Sequence, residues 1–379
     1  MPRIAPFVGL RYDVAVAGPL ADLVAPPYDM VGDEALAALV ARSPHNVARL
    51  ERGTSGGTDA EYRAAAEDLT SWRRDRVLTR TTEGLVAYEM TFRLHGRVRS
   101  VRGVIGAVDL EPWGGRIVPH EHVMPGPLED RLRVLRTVRA NLSPVHAILP
   151  GPSPVLGATL THICADAPHA EVVDAGVTHR AWWFVPEADL LAEIAEQRCM
   201  IADGHHRYTT ALAFREEMRS AAGPGPWDAI LMLLVDATEE PPVLPFHRVV
   251  AAPPPAVAGT GVRDLDAVLA AVDDESLRVG LVTRGDELVY RIVTLDGHPP
   301  AAAALEPLLP QAPDAVTFVQ SARDAERSIA AGDAAAAWIL PATSAMRIRA
   351  VVDAGARLPR KTTYFWPKPL TGIVIRPLD

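Results

Sequence analysis

The chain has 379 residues, with 38 Lys and Arg against 47 Asp and Glu, a formal charge of −9, and 34 prolines. That acidic balance, without a Lys/Arg stripe, argues against duplex nucleic acid as a partner. Two cysteines without a CxxC pair, Cys164 and Cys199, argue against a disulfide framework. No apolar run reaches transmembrane length and no signal-peptide core opens the sequence, so no membrane contact and a cytoplasmic location are expected.

Taken in order, the chain first shows Ala25-Pro26-Pro27-Tyr28-Asp29, where two prolines impose a rigid, extended approach to Tyr-Asp. A helix is predicted over 33–42, stopped by Ser43-Pro44. After a Gly/Ser/Thr loop at 51–58, Thr58-Asp59-Ala60-Glu61 reads as a capping box. It precedes a helix whose Tyr62, Ala65, Leu69 and Trp72 belong to a core. Strands are predicted at 84–94 and 97–110, joined by a His95-Gly96 turn. Pro119-His120-Glu121-His122 follows as a dense polar cluster. Its spacing differs from HExxH, so a zincin site is excluded. In extended backbone His120 and His122 share a side, and Glu121 faces the other way. Glu121 is a candidate general base or Mg²⁺ ligand, with a solvated loop carboxylate as the alternative.

Pro127 opens a helix with Leu128, Leu132, Leu135 and Val138 inward, and Val145–Leu149 is a buried strand in which His146 is read as structural. Residues 150–170 read as loop. Strands near 171–177 and 180–185 and a helix at 187–197 lead to the densest stretch, Cys199 to Tyr208. There an apolar strand ends in Asp203-Gly204, and His205, His206 and Arg207 open a helix. A strand that turns through glycine into a helix directs backbone N–H groups and the positive dipole end at the turn, which suits an anion. Arg207 adds a guanidinium, which matches phosphate bidentately. The plainer alternative is a helix start with a solvated arginine and capping histidines; four ionisable or polar groups directly after an apolar strand favour a site. Asp203 beside the turn has three options: base, metal ligand, or brace for a histidine.

Beyond Gly223-Pro224-Gly225-Pro226 come a strand at 229–235, a His247-Arg248 pair and a Pro/Ala connector at 251–261. Residues 262–355 alternate helices (264–272, 301–308, 323–331, 343–354) with strands (277–282, 288–294, 335–340). The tail from Leu358 to Pro369 holds Lys361, Lys368 and three successive aromatics, Tyr364, Phe365 and Trp366. Such a block is poorly tolerated in solvent, so the tail is expected to fold back. Its lysines are candidate point charges for phosphate. No GxxxxGK[ST] or GxGxxG occurs, which excludes a Walker-type or Rossmann cradle.

The motifs Ala25-Pro26-Pro27-Tyr28-Asp29, Pro119-His120-Glu121, Asp130-Arg131, Ile201 through Tyr208, His247-Arg248 and Lys361 through Lys368 occur together and in this order. From about Phe7 to Ile375 the chain resembles the domain-of-unknown-function 1015 family of bacterial and archaeal proteins. That family usually has Ser where Thr362 stands and a second Tyr where Trp366 stands. Asp203-Gly204-His205-His206-Arg207 also resembles the phosphate-binding box of the ParB/sulfiredoxin superfamily, whose free-serine kinases carry a similar Asp-Gly-His-His-Arg. Sulfiredoxins have a catalytic cysteine where His205 stands, so its absence argues against sulfinic-acid repair. The ParB box is Gly-Glu-Arg-Arg, matched here at Gly204 and Arg207.

These resemblances imply an α/β fold with α+β admixture. Residues 1–250 would be a ParB/sulfiredoxin-like phosphate-binding, catalytic portion, and residues 251–379 a second α+β portion whose tail returns to the site. The implied activity is a kinase using ATP or ADP with Mg²⁺ on a small hydroxyl compound, free L-serine first. A ParB-like regulatory module without turnover and a phosphatase are the alternatives. Glu121, Asp203, His205 and His206 are the expected catalytic residues, with Glu121 and Asp203 also candidate metal ligands. Gly204, His206, Arg207, Lys361 and Lys368 would hold the nucleotide, and Tyr28, Asp29, His120 and Arg131 the substrate. Pro119-His120-Glu121 is expected beside the turn at Gly204. A homodimer is a further expectation, since the aromatic tail offers a dimer contact.

Overall fold

The computed structural model describes residues 3–52, 57–94, 96–121, 126–239, 241–312, 315–359 and 361–379, and side chains within those spans except at 126 and 127. It is a mixed α/β fold in two compact units: one built from residues 1–119, 123–240 and 367–379, the other from residues 120–122 and 241–366.

The first unit is organised on a nine-stranded mixed sheet. Across it run Ile117–Pro119, Cys199–Asp203, Val145–Leu149, Ala229–Asp236, Arg97–Asp109, Leu85–Leu94, Val177–Phe184 and Ala170–Asp174, with Ile4–Ala5 paired to the end of Arg97–Asp109. Ala229–Asp236 and Val145–Leu149 are almost wholly apolar, as strands buried on both faces must be. Gly103 permits the close approach of neighbouring strands, because a Cβ there would lie 2.4 Å from the Leu234 carbonyl oxygen. Leu156, Leu160, Leu190, Ile194, Tyr208 and Ala211, from three helices, pack on one face of the sheet. A second core gathers Leu10, Leu23, Leu50, Tyr62, Leu69, Trp72, Val134 and Ile375. Its helix Asp59–Arg74 starts at the expected box: Thr58 caps the Glu61 backbone and Glu61 returns the bond. The first unit also contains a helix at Pro154–Ile163, where the sequence reads as loop. Proline at its first position and Leu156 and Leu160 four apart are its signal.

In the second unit an antiparallel six-stranded sheet runs Thr260–Val262, Leu288–Thr294, Arg278–Arg284, Ala336–Ile339, His247–Val250, Val316–Val319. Alternation along its strands divides two cores: Val250, Leu281 and Trp338 point into one, Val249, Val282 and Ile339 into the other. Tyr364–Phe365 pairs antiparallel with Val243–Leu244, both aromatics are buried, and Trp366 is half-buried with its N–H donated to the Pro242 carbonyl. From Pro367 the chain belongs to the first unit.

No helix among the described residues is long and apolar enough to cross a membrane.

Candidate functional site

The site strand, Cys199–Asp203, lies between Ile117–Pro119, to which it is parallel, and Val145–Leu149, to which it is antiparallel. Its register slips between Ile201 and Asp203, so the strand bends as it reaches Asp203. Gly204 then takes a left-handed conformation, φ 97° and ψ 26°, and caps an 18-residue helix, His205–Ala222, with no capping side chain. Glycine is needed twice over: the backbone is left-handed, and a Cβ would sit 3.0 Å from Arg207 Nη2. The expected strand, turn and helix are all present.

Around this turn, groups from distant parts of the chain form one polar chain. Lys368 Nζ bridges two carboxylates, 2.5 Å from Asp29 Oδ2 and 2.6 Å from Asp203 Oδ1. Asp203 Oδ2 accepts from Arg207 Nη2 at 2.6 Å. Arg207 Nη1 donates to Ser143 Oγ at 2.9 Å and to the Pro144 carbonyl at 2.7 Å. Ser143 donates to Glu51 Oε1 at 2.8 Å, and the Glu51 carbonyl accepts from Arg131 Nη1 at 2.8 Å. Arg131 also pairs with Asp130, which accepts from the Tyr62 hydroxyl, and its guanidinium lies 4.1 Å over the Tyr28 ring. Buried charges are tolerable only when saturated in this way.

The electrostatics follow. Burial alone would raise the Asp203 carboxyl, but Lys368 and Arg207 outweigh it and hold the group well below the usual carboxylate range. Burial would lower Lys368, yet Asp203 and Asp29 raise it above its ordinary value. Arg207 is raised likewise: burial opposes its charge, and Asp203 and Glu51 more than compensate. Burial, with Asp29 adding to it, pushes the Tyr28 phenol up to about 12. His146, wholly buried, is pushed down to about 4 by burial, with Arg207 assisting, so it is neutral near pH 7.

The expected residues are therefore distributed unevenly. Tyr28, Asp29, Arg131, Asp203, Gly204, Arg207 and Lys368 share the first unit's polar chain. His205 opens the site helix, but its ring is buried and stacks on Trp113 at 6.3 Å; His206 is half-buried. His120, Glu121 and Lys361 belong to the second unit. There His120 Nε2 is 2.6 Å from Thr363 Oγ1, Glu121 pairs through its backbone with Leu358, and Lys361 Nζ lies 5.0 Å from the Phe246 ring centre. His122 lies outside the described residues. Glu51 and Ser143 were not anticipated: the sequence places residue 51 at the start of a Gly/Ser/Thr loop, and no sequence signal marks either residue. Among the described residues no three His, Cys, Asp or Glu side chains cluster as a metal cage.

A family model described as "Protein of unknown function (DUF1015)" matches residues 4–308. No curated protein matches the chain. Solved structures that resemble it include a free serine kinase in complex with AMP, 14% identical with a TM-score of 0.36, covering 68% of this chain and 88% of that one. A conserved hypothetical protein from Pyrococcus furiosus is 14% identical with a TM-score of 0.35, covering 67% and 90%. SbnI with a C-terminal truncation, from Staphylococcus aureus, is 13% identical with a TM-score of 0.36, covering 72% and 81%. The family match runs over most of the sequence, through the Tyr28-Asp29, Asp130-Arg131 and Asp203–Arg207 motifs that meet around one turn, and the chain belongs to the DUF1015 family of proteins of unknown function.

Proposed function

We propose that the first unit is a small-molecule kinase that holds the phosphates of ATP or ADP at the Asp203–Arg207 turn and phosphorylates a small hydroxyl compound, free L-serine first. The observation that carries this reading is the convergence of Lys368 and Arg207 with Asp29 and Asp203 at a helix N-terminus without a side-chain cap. Phosphoryl transfer is mainly positioning and charge neutralisation, and two cations beside a helix dipole supply both. The resemblance of Asp203-Gly204-His205-His206-Arg207 to the box of the free-serine kinases supports the same assignment.

In the transfer, the acceptor oxygen bonds to the nucleotide's terminal phosphorus (γ in ATP, β in ADP), the bond from that phosphorus to the bridging oxygen breaks with the shortened nucleotide as leaving group, and the hydroxyl proton passes to a carboxylate. Asp203 is a poor proton acceptor, because both its oxygens are engaged and its charge is strongly held. We assign it the bracing role. Asp29, one-third exposed, is the carboxylate available to take the proton or to hold Mg²⁺. Magnesium is commonly bound by one or two carboxylates together with substrate phosphates, and it would neutralise charge on the nucleotide.

The test is calorimetry of the full chain with ADP and Mg²⁺, followed by phosphorus NMR of a mixture with ATP and L-serine. Formation of phosphoserine and ADP is expected. Absence of ADP and ATP binding at millimolar concentration removes the kinase. Binding without transfer assigns the regulatory module instead, and release of phosphate from phosphoserine without nucleotide assigns a phosphatase.

A further inference from the structure

Tyrosines whose rings are buried normally bond their hydroxyl to a protein group. Tyr12 donates to the His45 carbonyl, Tyr62 to Asp130, Tyr208 to the Glu111 carbonyl and Tyr290 to Glu326, and the Tyr88 hydroxyl meets the His179 ring. Tyr28 differs. It is only 8% exposed, yet its hydroxyl has no hydrogen-bond partner among the described residues. Nor is that oxygen one of the fully covered polar atoms, so a molecule from outside can reach it.

The ring that carries it is held in place. Pro26 and Pro27 precede it, Tyr28–Met30 forms a single 3-10 turn, and Ala25 exchanges backbone hydrogen bonds with Thr371 at 3.2 and 2.9 Å. The Arg131 guanidinium lies over one face of the ring at 4.1 Å. Besides burial, the charges that act on the phenol are those of Asp29, Arg131, Arg207 and Asp203, which puts its hydroxyl among the groups of the turn. Burial, with Asp29 adding to it, keeps the proton on the oxygen at neutral pH, so the group can donate. The charged groups around it are already committed. Lys368 is bound to Asp29 and Asp203, Arg207 to Asp203 and Ser143, and Arg131 to Asp130 and the Glu51 carbonyl. A ligand that bonds to Tyr28 gains a donor without first breaking an ion pair, and a ring fixed in advance loses little freedom on binding.

We propose that the Tyr28 hydroxyl is a ligand-binding group of this site, donating a hydrogen bond to an anionic oxygen of the small molecule held at the Asp203–Arg207 turn. That oxygen belongs to a phosphate or to the carboxylate of the acceptor, and the choice of probe separates the two. The assignment rests on the kinase reading only in taking the turn to hold an anion.

The test compares the full chain with Tyr28→Phe, which keeps the ring under Arg131 and deletes the hydroxyl alone. Calorimetry is run with ADP, pyrophosphate and L-serine. The melting temperature of the ligand-free variant should match that of the wild type, because no protein hydrogen bond is lost. Affinity should fall at least about tenfold for the probe whose oxygen the hydroxyl meets, as for a hydrogen bond to a charged group. Weaker ADP and pyrophosphate with unchanged L-serine assigns the phosphate, and weaker L-serine alone assigns the carboxylate. Equal affinity of wild type and variant for every probe that binds overturns the proposal and leaves the kinase standing. So does a lower melting temperature with unchanged affinities, the mark of a structural hydroxyl. Pyrophosphate binding that the variant weakens, with no binding of ADP or ATP, removes the kinase and keeps Tyr28. No binding of any probe at millimolar concentration removes both.

Discussion

Replacing Lys368 by methionine keeps the aliphatic stem and deletes the ammonium that bridges Asp29 and Asp203. Its side chain is 8% exposed and those of Asp203 and Asp29 are 14% and 34% exposed. Removing one partner of a buried pair costs about 3–5 kcal/mol, because the remaining charge is left uncompensated. Asp203 keeps Arg207 and Asp29 keeps some water, so the lower end, about 3 kcal/mol at pH 7, is expected for Lys368→Met. The loss should depend on pH in a definite direction. The folded-state pKa of Asp203 lies below the unfolded value of about 3.9, so its contribution is full above that value and is lost as pH falls through the folded one. Without Lys368 the folded pKa rises and less remains to be lost, so wild type and variant should converge below about pH 4. Lys368 itself is raised above about 10.4, so its contribution is full below that pH and fades only as pH climbs through the folded value. The difference should be flat from about pH 5 to pH 10. Urea unfolding followed by tryptophan fluorescence reports mainly on the first unit, which holds Trp72, Trp113, Trp182, Trp183 and Trp227, while Trp338 and Trp366 belong to the second. A loss under about 1 kcal/mol at pH 7, the size of an exposed pair, would refute the reasoning. So would an equal loss at low and neutral pH.

Two further outcomes concern the turn. Gly204→Ala forces a side chain into left-handed backbone within 3.0 Å of Arg207 Nη2 and should cost about 1–2 kcal/mol by the same unfolding assay; unchanged stability would mean that the turn relaxes freely. Arg207→Ala should weaken ADP binding by about 1.5–3 kcal/mol in calorimetry, the range for hydrogen bonds to a charged group, and an unaltered affinity would remove Arg207 from the nucleotide site.

What could be read from sequence was what neighbours along the chain decide. Thr58 and Glu61 are three residues apart and form their box regardless of the rest. The apolar Cys199–Ala202 run, Asp203 and Gly204 dictate strand, turn and helix by local chemistry alone. The helix at Pro154–Ile163 was legible in Pro154, Leu156 and Leu160 but was obscured by the glycines and prolines around them. Lys368 stood out as a charge beside aromatics, while its bond to Asp29 closes a separation of 339 residues. Glu51 and Ser143, 92 residues apart, meet only because the second core brings their segments together, and nothing in either local sequence records that meeting.

The return of residues 367–379 to the first unit has a consequence for synthesis. Asp29 and Asp203 leave the ribosome long before Lys368. At roughly 5–20 residues per second, the stretch from Asp203 to Lys368 takes on the order of ten to thirty seconds to translate. During that interval the nascent first unit holds two carboxylates without the ammonium that joins them, and it lacks Ile375 from its second core. The closing residues also tie down the sheet, with the Leu370 N–H on the Tyr88 hydroxyl and Arg376 on the Ala229 carbonyl. Folding of the first unit thus waits for residues 367–379 to emerge, and a truncation before Lys368 deletes the ammonium that joins Asp29 to Asp203.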